Sequence, residues 1–202
     1  MHEKSKIWKN EGSNKILKKL DVKNVNSSKS VITFDYELSN TKSKLTTSYT
    51  IYGNGEIQIE NNFTPGDKLP ELPRFGALMR LPKRFEQISW LGRGPFENYE
   101  DRKTAAFVDV YKSTVTELYY PYISPQENGY RTDVRWLGIA DNEGNGLFFG
   151  AYPVFGFSAL HYTMEDLSQE SRGGKHTIDL TKQEFTELMI DYKQRGVGGD
   201  DS

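Results

Sequence analysis

The sequence predicts an all-β fold, a large antiparallel β-sandwich with at most one or two short helices. Apolar residues recur with a period of two, which is the spacing of side chains along one face of a strand. The segments with this period are short, and clusters of glycine, asparagine and proline separate them. About ten such strands with one minor helix are typical of a sandwich.

Three strands are predicted in the first third of the chain. In Val31–Leu38 apolar and polar residues alternate, as in a half-buried strand. Leu45–Tyr52 and Glu56–Asn61 flank a Gly-Asn-Gly sequence at positions 53–55, whose residues tolerate positive φ. This arrangement predicts a hairpin.

The other strands are predicted from the same alternation. A turn at Asp141–Gly146 joins two of them into a second hairpin. Trp90 and Trp136 fall on the apolar side of the alternation, which favours a place in the core over a role as sugar platforms. The predicted segments are Phe85–Trp90, Ala106–Tyr111, Tyr130–Trp136, Leu147–Phe157, Thr177–Leu180 and Phe185–Tyr192.

One short helix is predicted after Thr163. Thr163 followed by Asp166 resembles a capping box, and Met164 and Leu167 lie one turn apart. The two glycines at positions 173–174 would end this helix.

The composition excludes several classes of protein. The 202 residues include 26 Lys and Arg against 28 Asp and Glu, and this balance argues against a nucleic-acid binder. No apolar segment approaches the roughly 20 residues of a spanning helix. The absence of cysteine removes disulfides and thiolate chemistry but does not determine the compartment, which stays open between cytoplasm and periplasm. A solvated face is predicted for Lys15, Lys18, Lys19, Lys23 and Lys29.

Two segments concentrate residues that could carry chemistry, Trp90–Arg102 and Tyr119–Arg131. Paired donors and acceptors beside aromatic rings suit sugar hydroxyls, which predicts a sugar-binding site. The alternative is a pair of structural corners held by arginine–carboxylate pairs and by amide bonds to the backbone. Both interpretations stay open, and the candidate sugar-binding residues are Tyr99, Arg102, Glu127, Asn128 and Arg131.

Three separated motifs occur in order along the chain. The first comprises Trp90, Leu91, Gly92, Gly94, Pro95, Glu97, Asn98, Tyr99, Asp101 and Arg102; the second Pro121, Tyr122, Pro125, Glu127, Asn128, Gly129 and Arg131; the third Gly196–Ser202. With these motifs the chain resembles the C-terminal domain of family 2 β-galactosidases, their small chain or fifth domain. The resemblance is sharp over Leu69–Arg131 and at the C-terminal end, and it extends less closely over Asp21–Asn62.

The resemblance implies a galactose-mutarotase-like supersandwich. We expect residues 1–202 to form one sandwich domain, excised from the C-terminal part of a larger β-galactosidase that hydrolyses terminal β-D-galactosides. In that family the two catalytic glutamates lie in a separate (β/α)₈ barrel, and a retaining glycosidase needs its carboxylates about 5–5.5 Å apart. Glu97 and Glu127 are therefore interpreted as residues of the sandwich, no catalytic residue is assigned, and the isolated chain is expected to be inactive on lactose.

The resemblance also predicts partners and a substrate rim. In the family the last loops of this domain reach over the mouth of the barrel, so the expected partners are the barrel, the other domains of the parent chain and the galactoside substrate. A homo-oligomer is a further possibility. The family's Mg²⁺ and Na⁺ ions bind outside this domain, and no cofactor or metal site is predicted here. The rim candidates are Arg195, Gly198, Gly199, Asp200 and Asp201.

Two other functions remain open. An independent carbohydrate-binding or mutarotase-like module would need a His/Glu acid–base pair for mutarotation, and His161 and His176 are the internal histidines. A purely structural or oligomer-forming domain is the other alternative.

Overall fold

The chain folds into two antiparallel sheets, one in each of two units, Met1–Pro73 and Arg74–Ser202. The structure is a computed structural model that describes residues 3–168 and 176–197. Strands dominate both units, so the predicted all-β antiparallel class is confirmed. Within the described ranges, no helix is long and apolar enough to cross a membrane.

The first unit is a short 3₁₀ helix at Glu3–Trp8 followed by four strands in a meander. The strands pair in chain order, β1-β2-β3-β4. Both the strand predicted at 31–38 and the hairpin around positions 53–55 are confirmed. The strand bounds are β1 Lys15–Asn26, β2 Lys29–Leu38, β3 Ser43–Tyr52 and β4 Ile57–Thr64.

One face of this four-stranded sheet is apolar. Ile32 on β2 lies opposite Val22 on β1 and Tyr49 on β3, and Tyr49 in turn lies opposite Ile59 on β4. The strand β1 was not predicted, because lysines interrupt its alternation. Every residue of β1 is exposed, which confirms a solvated position for its four lysines, whereas Lys29 at the start of β2 is half-buried.

The second unit contains a six-stranded sheet in the order β5-β10-β9-β8-β6-β7. A single-turn helix, α1, follows β7 and begins with a capping box between Thr114 and Glu117 that the sequence analysis overlooked. The element bounds are β5 Arg74–Pro82, β6 Gln87–Gly94, β7 Phe107–Thr114, α1 Val115–Leu118, β8 Arg131–Ala140, β9 Gly146–Leu160, a 3₁₀ helix Thr177–Asp179 and β10 Phe185–Gln194.

The core of this unit packs around Trp90, which is 1% exposed and contacts the Phe157 ring edge-on at 5.7 Å. The core position predicted for Trp90 is confirmed. The side chains of α1 help to bury this cluster. Its other central members are Leu137, Ile139, Phe155 and Leu188.

The core position predicted for Trp136 is wrong, because its side chain is half-buried. Asp133 has a φ of 52°, and the pairing of β8 with β9 shifts register between Val134 and Trp136. A shift of one residue exchanges the two faces of a strand. Leu137 therefore takes the buried position, and Trp136 stacks on the exposed Phe148 instead, with ring centroids 5.9 Å apart.

The strand predicted at Thr177–Leu180 is wrong, since Thr177–Asp179 is a 3₁₀ helix. The Asp179 carboxylate accepts a hydrogen bond from the His176 backbone N–H at 2.8 Å, which favours the turn. Ile178 is 90% exposed, so the alternating apolar residues of this segment do not pack on a core as those of a half-buried strand would.

The capping box predicted at Thr163 forms. The backbone N–H of Thr163 donates to the Asp166 carboxylate at 3.0 Å, and the Asp166 N–H donates to the Thr163 hydroxyl at 3.0 Å. The residues that follow up to Leu167 form turns rather than an α-helix. The remainder of the predicted helix lies outside the described residues.

Candidate functional site

Two of the three sequence motifs meet through a pair of stacked tyrosines. The rings of Tyr99 and Tyr130 have centroids 5.3 Å apart and planes 16° from parallel. The guanidinium of Arg102 lies 4.8 Å from the Tyr99 ring centroid, and that of Arg74 lies 5.7 Å from the Tyr130 ring centroid. Cation–π attraction therefore adds to the ring stacking on both sides of the junction.

Glu97 connects the first motif to the second through its carboxylate. One oxygen accepts a hydrogen bond from the Gly129 backbone N–H at 2.8 Å. The other accepts from Arg102 at 2.8 Å and from the Tyr122 hydroxyl. This carboxylate is thus fully engaged in holding two loops together, which agrees with its interpretation as a residue of the fold.

The asparagines after the two motif glutamates both bind backbone groups. Asn98 is fully buried, and its side-chain oxygen accepts from the Thr132 N–H at 3.0 Å and from the Thr132 hydroxyl at 2.6 Å. Asn128 accepts from the Tyr120 N–H at 3.1 Å. Each amide satisfies buried polar groups of a non-repetitive segment, which would otherwise destabilise the fold.

Arg93 fixes the outer side of the first motif. It donates to the Asp133 carboxylate at 2.5 Å and to the Ala106 carbonyl at 2.6 Å. Lys103 donates to the same carboxylate at 3.0 Å. Burial alone would raise the pKa of Asp133, but the hydrogen bonds from Arg93 and Lys103 outweigh it and lower the pKa.

Arg131 is a buried cation that the fold holds mainly by carbonyl oxygens. It is 4% exposed, donates to the Pro95 carbonyl at 2.8 Å and lies 5.4 Å from the Trp90 ring centroid. Burial lowers its pKa to about 10, against the opposing effects of Glu97 and Tyr99. Its Nε and the Tyr99 hydroxyl are buried without a hydrogen-bond partner among the described residues.

Burial divides the five candidate sugar-binding residues. Tyr99, Asn128 and Arg131 are 0%, 1% and 4% exposed, so their side chains support the loops from inside. The Glu127 side chain is partly exposed, and that of Arg102 is 47% exposed. Of these five, Arg102 is the side chain most open to a ligand, and sugar binding at the group stays a prediction.

A partly buried charge cluster joins the second motif to β5 and β10. Arg74 forms ion pairs with Glu127 and with Asp191, the latter at 2.9 Å. Burial alone would lower the pKa of Arg74, but the two carboxylates outweigh it and raise the pKa. Burial raises the pKa of Asp191 to about 6, although Arg74 opposes this effect. Gln194 donates to Glu127 at 2.7 Å and completes the cluster.

Sequence reasoning overlooked Arg74, Asp191 and Gln194 in this cluster. Two carboxylates within the strand predicted at Phe185–Tyr192 were the available signal, because an acid that a sheet buries needs a cation. A second pair follows the same rule, since Glu187 lies directly opposite Arg80 in the β5–β10 register and accepts from it at 3.1 Å.

The last described residues run from the end of β10 toward the first motif. Arg195 is exposed. Gly196 has a φ of +99°, and a Cβ placed on it would lie 2.6 Å from the Asp101 Cγ. Both facts restrict this position to glycine. The other rim candidates, Gly198, Gly199, Asp200 and Asp201, lie outside the described residues.

His161 lies outside the three motifs in the sequence and is 3% exposed. Its Nε2 is 2.8 Å from a Glu86 carboxylate oxygen, and its Nδ1 is 3.1 Å from the Phe185 carbonyl oxygen. Burial alone would raise the pKa of Glu86, but hydrogen bonds from Thr116 and His161 lower it. In the part of the chain that the structure describes, no three His, Asp or Glu side chains gather as a metal site would require.

Comparison with known proteins confirms the resemblance to the β-galactosidase small chain. The family described as β-galactosidase small chain matches residues 2–202. A β-galactosidase from Priestia megaterium is 35% identical over 202 residues, which is 100% of this chain and 19% of that protein. The β-galactosidases of Pseudoalteromonas haloplanktis and Vibrio cholerae are each 38% identical over 155 residues, 76% of this chain and 14% of theirs. The chain belongs to the β-galactosidase small-chain family, and it spans only 14–19% of the length of these three relatives.

Proposed function

We propose that this chain is a non-catalytic accessory domain of a β-galactosidase that hydrolyses terminal β-D-galactosides. Its role is to complete the rim of the active site and to pack against other domains of the parent polypeptide. The chain covers only 19% and 14% of two of its relatives. This supports an accessory role, because most of each relative's polypeptide lies outside the region that the chain matches.

The observation that carries the proposal is the anchored end of β10. Gln194 is bonded to the second motif, and Gly196 is packed against the first, so the acidic sequence beyond Val197 starts from a fixed position. Binding or catalysis at a rim requires such positional control, since small displacements of a contacting group are costly. The exposed Arg195 adds a cationic donor that can bind hydroxyl groups.

The motif glutamates support a non-catalytic role. Glu97 binds Arg102, Tyr122 and the Gly129 N–H, while Glu127 binds Arg74 and Gln194. A nucleophile or general acid must reach its substrate with a free oxygen or proton. Both oxygens of Glu97 are instead committed to contacts inside the unit, and Glu127 is paired with Arg74 through one of its oxygens.

The test is the double variant Asp200→Ala/Asp201→Ala in the complete polypeptide. We expect the KM for a chromogenic β-galactoside to rise severalfold or kcat to fall, with melting unchanged. The matched control is Asp67→Ala/Glu71→Ala, which removes two exposed acids of the first unit and should leave both constants unchanged. Wild-type kinetics in the first variant would exclude a role in the substrate rim.

The His161–Glu86 pair favours a second candidate, a mutarotase-like module. The two side chains are within hydrogen-bond distance, as an acid–base pair requires. However, His161 is buried and both its ring nitrogens face protein oxygens, which leaves it no open nitrogen for a sugar. Polarimetry of α-galactose separates the candidates: we expect no acceleration by the chain, and an acceleration that His161→Asn abolishes would support the mutarotase.

A further inference from the structure

We propose that Gln194, Glu127 and Asp101 are positioning residues that fix the segment Arg195–Val197, which contains Arg195, the rim candidate within the described residues. The inference rests on the proposed function and extends it from the rim itself to the groups that support it. None of the three residues is required to touch the substrate.

Three links hold the chain as it leaves β10. Asp191 pairs with Arg74 of β5 at 2.9 Å. Gln194, which is 7% exposed, donates to Glu127 at 2.7 Å. Gly196 packs against Asp101 so closely that a Cβ would lie 2.6 Å from the carboxylate carbon. Three links within six residues define both the path and the direction of the segment.

The first two links are connected because Arg74 pairs with both Asp191 and Glu127. Glu127 accepts from both Arg74 and Gln194 on the same oxygen, Oε1. Removing the Gln194 amide therefore frees the end of β10 without removing the charge pair that stabilises Glu127. This separation makes Gln194 the most informative position for a test.

The third link joins the segment to the first motif. Arg102, one residue after Asp101, lies on the Tyr99 ring and binds Glu97, which in turn holds the Gly129 N–H of the second motif. The two motif loops that contact this segment therefore also support each other. The conformation of Gly196, with φ at +99°, agrees with a backbone bent to fit this contact.

The experiment compares two variants with one control in the complete polypeptide. Gln194→Ala removes the amide link, and Gly196→Ala strains a position whose φ is +99° and places a Cβ 2.6 Å from the Asp101 Cγ. The control, Gln87→Ala, removes an exposed amide of the same sheet that donates to Asn142 at 3.0 Å. Melting temperatures identify any variant that fails to fold. If Gln194→Ala does not fold, Gly196→Ala still tests the inference, because Gly196 lies beyond the end of β10.

Two readouts are measured for each protein. The first is hydrogen–deuterium exchange of a peptide covering Arg195–Val197, which we expect to be about tenfold faster in both variants and unchanged in the control. The second is steady-state kinetics on a β-galactoside, where we expect KM to rise at least about fivefold while kcat changes less. A variant that merely destabilises the fold would lower the melting temperature without raising KM more than it changes kcat.

The outcomes are distinguishable from those of the rim test. Unchanged exchange at Arg195–Val197 overturns the inference whatever the kinetics show. Faster exchange with unchanged KM, while Asp200→Ala/Asp201→Ala alters the kinetics, also overturns it and leaves the proposed function intact. If the double variant has wild-type kinetics but Gln194→Ala raises KM, the acidic rim role fails and the positioning of Arg195–Val197 stands.

Discussion

The rings of Tyr99 and Tyr130 stack at 5.3 Å and join two sequence motifs, although the two residues are about thirty positions apart in the chain. Each ring also has an arginine guanidinium over it. Burial raises the pKa of the Tyr99 hydroxyl, and Glu127 and Glu97 raise it further. The pair stays neutral and provides an apolar centre among charged neighbours.

Loss of the stack should destabilise the unit strongly. Tyr99 is 0% exposed, so we predict that Tyr99→Ala lowers the free energy of unfolding by about 3–5 kcal/mol. Urea denaturation followed by circular dichroism measures this change. Phe107→Ala, at an aromatic residue that is 77% exposed, should cost less than about 1 kcal/mol. Equal effects of the two changes would refute the structural role of the stack.

The two tryptophans of the six-stranded sheet provide a direct test of the register shift. Trp90→Ala should cost about 3–5 kcal/mol because the ring lies in the core. Trp136→Ala should cost clearly less, because its ring is half-buried against the exposed Phe148. Chemical denaturation of both variants gives the comparison, and a larger loss at Trp136 would contradict the observed register.

Asn98 should contribute strongly to the stability of the fold, although its side chain is small. Asn98→Ala leaves the Thr132 N–H and hydroxyl without their acceptor in a buried site, which we predict to cost about 2–3 kcal/mol. Asn62→Ala is the matched control, since Asn62 is an exposed residue of β4. A near-neutral Asn98→Ala would mean that another group or a water molecule replaces the amide oxygen.

Asp191 should make stability depend on pH. Its pKa is raised from 3.8 to about 6 by burial, with Arg74 and a hydrogen bond from Tyr130 opposing the change and Glu127 reinforcing it. The folded state therefore binds more protons than the unfolded state between about pH 4 and about pH 6, and the free energy of unfolding falls as pH rises through that window, by at most about 3 kcal/mol.

The variant Asp191→Asn lacks this proton and should lose that part of the slope. Unfolding free energies of both proteins, measured by urea titration at several pH values, give the difference. We expect wild type to lose stability relative to the variant as pH rises from about 4 to about 6. Parallel profiles would show that the carboxyl titrates alike in the folded and unfolded chain.

Sequence reasoning predicted most strands because alternation reflects burial on one side of a sheet. It missed β1, where lysines hide the apolar positions, and β5 at Arg74–Pro82, and it placed Trp136 wrongly, because a register shift leaves no mark in the alternation. The motif residues were identified as a group, yet their burial could not be read from their polar character. Tyr99 and Arg131 are as suited to a sugar site as to a core, and only the three-dimensional contacts distinguish these uses.

The lysines of β1 should affect how readily copies of the protein associate in solution. In the described residues β1 pairs on one side only, with β2, so its other edge offers backbone groups to a neighbouring molecule. Lys15, Lys18, Lys19 and Lys23 place positive charge along that edge, and two copies approaching edge to edge would repel each other. Colloidal stability should therefore depend on these charges, and lysine acetylation or high salt should promote precipitation without unfolding either sheet.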